Sequence, residues 1–135
     1  MNEPKWLTRG MALAIHAEAL AQFGGSPGLR DAGLLESALA RPAQIFAYGT
    51  GPTLFDLAAA LCLGIAKNHA FVDGNKRTAL LCARAFLFLN GWAFEPAEED
   101  EVRLLTAAAA GEADEKTLAA WFEEFSTQAP VAHGK

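Results

Sequence analysis

At 135 residues, 52% hydrophobic and 20% charged, the chain is long enough for one substantial core and too apolar for a disordered polymer. Eleven basic and sixteen acidic residues leave a net charge of −5. The acids gather late, in 95–101 and 112–124, and no basic patch stands out, which argues against direct binding of DNA or RNA.

The longest apolar runs are broken by Asp56, Lys67 and Arg84, so no membrane span is expected. The N-terminal MNEPKWLTRG lacks the apolar core of a signal peptide, and a cytoplasmic protein is expected. Cys62 and Cys82 both fall inside apolar helical runs and read as buried, reduced thiols. No Cys/His spacing resembles a zinc site.

In chain order, residues 7–23 predict a first helix, with Leu13, His16, Leu20 and Phe23 on one stripe. His16 on that stripe reads as a hydrogen-bonded core histidine rather than a ligand. Gly24-Gly25-Ser26-Pro27-Gly28 stops the helix and makes an irregular loop. Asp31 is a suitable N-cap for a second helix, 32–40, with Leu34, Leu35, Ala38 and Leu39 turned inward and Arg41-Pro42 ending it. Residues 43–52 then read as a loop or partial turn, with Gly49, Gly51 and Pro52 as breakers. Thr53 with Asp56 resembles a capping box, which starts a third helix at that point.

A fourth helix is expected from about Asn75 to Asn90-Gly91. Both the third and the fourth are apolar on most faces, the mark of central helices covered by others. Trp92-Ala93-Phe94 alternates as an extended segment or short hairpin would. Pro96 is expected to start a fifth helix through Val102, Leu104 and Leu105, stopped by Gly111. Asp114 caps a sixth, whose Leu118, Trp121, Phe122 and Phe125 follow i, i+3, i+4, i+7. The tail 126–135 reads as frayed, and His133 has no evident role. The expectation is one all-α domain, 1–135 with its core in about 7–125, of about six helices.

Between the two greasiest helices lies a polar island, His69-Ala70-Phe71-Val72-Asp73-Gly74-Asn75-Lys76-Arg77. A plain connection needs only a turn residue and a cap; this one carries a base, an acid, an amide and two cations. Asn75, Lys76 and Arg77 would occupy the first turn of the fourth helix, where free N–H groups and the helix dipole favour an anion. Gly74 lets a ligand approach the backbone. Lys76 and Arg77 add charge, and arginine can hold a phosphate through two parallel bonds. Asp73 is a hard oxygen ligand suited to the Mg²⁺ that accompanies nucleotide phosphates. A histidine such as His69, of a type with an ordinary pKa of about 6.5, can take a proton from a hydroxyl near neutral pH. Phe71 is expected to plug into the core and fix the loop. Singly, each residue also has a bland reading: a cap for Asp73 or Asn75, a solvated helix start for Lys76 and Arg77, a dipole partner for His69. Together they assemble the base, metal-binding acid and phosphate cradle that phosphoryl transfer requires.

HAFVDGNKR resembles the signature of the Fic/Doc family: histidine, any residue, phenylalanine, any residue, acid, glycine, asparagine, lysine or glycine, arginine. Seven fixed positions at about one in twenty each make a chance match on the order of one in a billion. The Phe23-Gly24-Gly25 loop and the Leu29–Pro42 stretch extend the resemblance toward the death-on-curing (Doc) branch, over roughly residues 7–125. AMP-transferring members resemble HxFxxGNGRxxR, whereas this chain has Lys76 for the second glycine and Leu80 for the second arginine. Lysine there is the Doc-type variant, which resembles a protein kinase binding ATP in the opposite sense.

The resemblance implies a toxin that transfers the γ-phosphoryl group of ATP to a threonine of translation elongation factor Tu and blocks translation. Carried over by position, His69 would be the general base and Asp73 the Mg²⁺ ligand. Gly74 and Asn75 would shape the anion hole, and Lys76 and Arg77 would bind ATP phosphates. No (Ser/Thr)xxxGlu(Gly/Asn) inhibitory motif occurs in the chain, so restraint is expected in trans, from a small Phd-type antitoxin. An AMP transferase and a non-catalytic antitoxin-binding module stay open as alternatives. Arg84, one helical face below Arg77, reads as the partner of an acid rather than a ligand contact.

Overall fold

A computed structural model describes residues 2–129. Six helices make up the fold among those residues: α1 Arg9–Phe23, α2 Ala32–Tyr48, α3 Leu54–Asn68, α4 Asn75–Leu89, α5 Glu98–Ala109 and α6 Glu115–Glu124. A two-stranded antiparallel ribbon joins β1 Trp92–Phe94 to β2 Ser126–Gln128. The architecture is the expected all-α one.

Local signals explain most of the boundaries. Thr8 caps α1 by accepting from the Met11 N–H at 3.1 Å. Asp31 does the same for α2 at Leu34 N, and Asp114 for α6 at Thr117 N. At α3 the capping box is complete: Thr53 N–H donates to Asp56 Oδ2 at 2.8 Å, and Asp56 N–H donates to Thr53 Oγ1 at 3.1 Å.

α3 is the hub, packed against α2, α4 and α6, while α1 and β1 lie on α4. Ten of its residues are buried, Phe55, Leu57 and Leu61 among them. Phe86 and Leu87 of α4 and Leu118 and Phe122 of α6 complete the same core. The two cysteines sit in it as free thiols. Burial pushes each of them up to about 12 from 9.0, Cys82 being raised further by its proximity to Cys62.

Four expectations are corrected. α2 does not stop at Arg41-Pro42 but runs on to Tyr48, with Pro42 buried inside it. Proline removes one intrahelical donor, and the packing of Ile45 and Phe46 against the core outweighs that loss. The tail is not frayed from 126: β2 pairs Trp92 with Gln128 and Phe94 with Ser126, and Ala129 N–H bonds Gly91 O at 2.9 Å. Residues 130–135, His133 included, lie outside the described residues. α5 begins at Glu98 rather than Pro96, with four acids in its first turn beside the positive end of its dipole. Finally, Phe23, on the predicted apolar stripe of α1, is 57% exposed.

Candidate active site

The polar island is the link between the two central helices, so its ends are held by the described helices with the most buried residues. α3 terminates at His69, which takes the left-handed conformation (φ 52°, ψ 47°). Phe71 turns inward and is 1% exposed. Its backbone is clamped by the Asn75 side chain: Phe71 N–H donates to Asn75 Oδ1 at 3.0 Å, and Asn75 Nδ2 donates to Phe71 O at 2.9 Å. Asn75 is itself 8% exposed, so its amide shapes the loop from within.

The other wall comes from the segment between α1 and α2. Leu29 and Phe71 form an antiparallel bridge. Val72 N–H donates to Gly28 O, and the Arg30 and Asp31 N–H groups both donate to Ala70 O. The Arg30 guanidinium donates to His69 O at 2.8 Å through Nε, and also reaches Asn68 O at 3.3 Å.

Asp73 lies on the exposed side of the loop. Its Oδ2 accepts from Ser26 N–H at 3.1 Å and its Oδ1 from Gly74 N–H at 2.8 Å. These donors, Ser26 first, hold the carboxyl below the ordinary carboxylate range, so it stays ionised at neutral pH. Position 25 favours glycine, because its backbone takes φ 126°, and a Cβ there would also crowd Asp73 Oδ2 at 3.0 Å. From below, His16 Nε2 lies 2.8 Å from Asp73 O. A carbonyl can only accept, so this nitrogen carries the ring proton.

α4 then starts at Gly74 (φ 77°, ψ 19°), a left-handed N-cap that favours glycine, with no side chain capping the helix. The N–H groups of Asn75, Lys76 and Arg77 are the ones an α-helix leaves without internal partners. A helix start of this kind is an anion site. Lys76 is exposed. Arg77 donates to Glu101 Oε1 of α5 at 3.0 Å, and its guanidinium sits 4.2 Å over the Phe23 ring. That contact accounts for an exposed phenylalanine at the end of α1. Arg84 is turned away from the loop: it donates to Phe94 O at 3.0 Å and lies 3.7 Å from Glu101 Oε2.

The structure therefore gathers His69, Asp73, Gly74, Lys76 and Arg77 around one uncapped helix start, over Phe71 and Asn75 as buried supports. Sequence reasoning missed the groups that hold them: Ser26 N–H, Arg30, the position of His16 under the loop, and Glu101. Only the glycine-rich segment at 24–28 hinted that another stretch approaches the island.

A family model described as "Fic/DOC family" matches residues 6–87, more than half of the chain and all of the elements that build this loop. The chain belongs to the Fic/DOC family. It is 53% identical over 70 residues to a protein named Toxin Doc from Mycolicibacterium smegmatis, an alignment covering 51% of this chain and 54% of that protein. It is 38% identical over 79 residues to Protein kinase doc of Escherichia phage P1, covering 58% of this chain and 63% of the relative. The chain thus spans between half and two thirds of the length of these relatives.

Proposed function

We infer that the chain is the toxin of a toxin–antitoxin pair and acts as an ATP-dependent protein kinase on a threonine of translation elongation factor Tu. The observation that carries this reading is Lys76. It is exposed in the first turn of an uncapped helix, at the position where AMP-transferring members have glycine. Leu80, where those members carry a second arginine, is 1% exposed in the core and has no route to a ligand. The names of the two relatives, a Doc toxin and a Doc protein kinase, support the same reading.

The chemistry follows from the groups present. The α4 N–H groups with Lys76 and Arg77 hold the phosphates and offset charge as it spreads over the transferred group. His69 takes the proton from the threonine hydroxyl while its oxygen bonds to the γ-phosphorus. The bond from that phosphorus to the β–γ bridging oxygen breaks, and ADP leaves.

Asp73 fits Mg²⁺, being an ionised, exposed carboxylate beside the helix start. Asp73 would be the side chain that holds the ion, as a hard oxygen donor. When bound, the ion neutralises phosphate charge.

An antitoxin of the Phd type acting in trans has a suitable surface. An open groove of about 770 Å³ is lined by Ile15, Leu81, Ala85 and Phe88, with Glu18 and Arg84 among its polar groups. Such a groove accepts the apolar face of an amphipathic helix. No described helix is long and apolar enough to cross a membrane; a kinase acting on an elongation factor would work in the cytoplasm. The test is transfer from γ-labelled and α-labelled ATP to purified elongation factor Tu, with γ label alone expected on the target.

A further inference from the structure

His69 is the one non-glycine residue with positive φ among the described residues. A left-handed residue other than glycine persists only where its surroundings hold it. The holding group is identifiable. Arg30 reaches across from the α1–α2 segment and directs its guanidinium at His69 O and Asn68 O, the carbonyls that the end of α3 leaves without helical partners. Its own N–H, with that of Asp31, is bonded to Ala70 O. Arg30 thus touches three consecutive carbonyls, those of residues 68, 69 and 70, and it forms no ion pair with an acid among the described residues. The side chain is exposed, yet its hydrogen bonds go to the turn that aims the imidazole. A cation there also suits the negative end of the α3 dipole.

We propose that Arg30 is a positioning residue for His69: its guanidinium locks the left-handed turn that presents the imidazole to the substrate hydroxyl. The proposal rests on His69 being the base. Misplacing a proton acceptor by about an ångström costs on the order of a hundredfold in rate.

The experiment compares wild type, Arg30→Met and Arg30→Lys in three measurements. These are γ-phosphoryl transfer kinetics, thermal unfolding, and the His69 backbone shifts and N–H to Hα coupling by nuclear magnetic resonance. Arg30→Met is expected to lower kcat by about 10- to 100-fold, to leave KM for ATP within about twofold, and to move the His69 shifts away from left-handed values. Arg30→Lys, which retains the charge but not the fork, should recover part of kcat and part of the shift. Unchanged kcat with unchanged His69 shifts would overturn the proposal. So would a loss of rate that tracks the unfolded fraction equally in both variants. If wild type transfers no phosphate, the kinase reading fails, and the resonance comparison still decides whether Arg30 holds His69.

Discussion

His16 lies flat on Phe71, with ring centroids 3.8 Å apart and planes 10° from parallel. The same imidazole bonds Asp73 O at 2.8 Å. One side chain of α1 therefore supports both the buried anchor of the loop and the residue that carries its carboxylate. Its 5% exposure fits a core histidine, but the core it belongs to is the floor of the site.

Removing that floor should loosen the loop before it unfolds the protein. His16→Ala is expected to destabilise by about 2–4 kcal/mol, from a lost buried hydrogen bond, a lost ring contact and a cavity. Urea unfolding measures it. A loss below about 0.5 kcal/mol would mean that Phe71 and Asn75 hold the loop unaided.

Glu101 occupies Arg77 and sits near Arg84, at 3.0 and 3.7 Å. An anion bound at the α4 start would compete with Glu101 for Arg77. Glu101→Gln is therefore expected to tighten ATP binding by about two- to fivefold, the equivalent of roughly 0.5–1 kcal/mol for a part-exposed pair. Calorimetric titration at low ionic strength would show it. Weaker binding instead would mean that Glu101 aims Arg77 at the phosphates rather than competing with them.

The buried thiols give a pH dependence whose sign can be worked out. Both fold with a pKa of about 12 against an ordinary 9.0, so the native state favours the neutral form. Their contribution is intact below pH 9. Above it, the unfolded chain releases protons that the native chain keeps, and stability falls toward pH 12, by up to about 1.4 kcal/mol per pH unit for each thiol. Urea midpoints at pH 8 and pH 10.5 check this. A Cys62→Ala, Cys82→Ala double variant should show a shallower alkaline loss; an identical slope would contradict the assignment.

Features carried by short stretches of chain were legible in the sequence. Thr53 with Asp56, Asp31, Asp114 and Asn90-Gly91 marked helix ends because capping is settled within four residues. The candidate site groups could be read as one cluster for the same reason, since His69 through Arg77 form one segment. What was not legible is long-range. Pro42 is tolerated only because Ile45 and Phe46 find the core, and the β1 partner lies beyond α6. Likewise the partners of the site groups, Ser26 for Asp73, Arg30 for His69 and Glu101 for Arg77, come from segments 24 to 47 residues away. Phe23 kept its place on the apolar stripe of α1, yet it faces a guanidinium instead of the core, a distinction that periodicity alone does not draw.

The kinase reading rests on which phosphorus of ATP is attacked, and the labelled nucleotide reports that directly. With elongation factor Tu as acceptor, γ-labelled ATP should label a threonine and α-labelled ATP should label nothing. His69→Ala should slow the transfer by about 10²–10⁴. Transfer of the α label would make the protein an AMP transferase despite Lys76. No transfer of either label, with growth arrest on expression that survives His69→Ala, would make it a binding module.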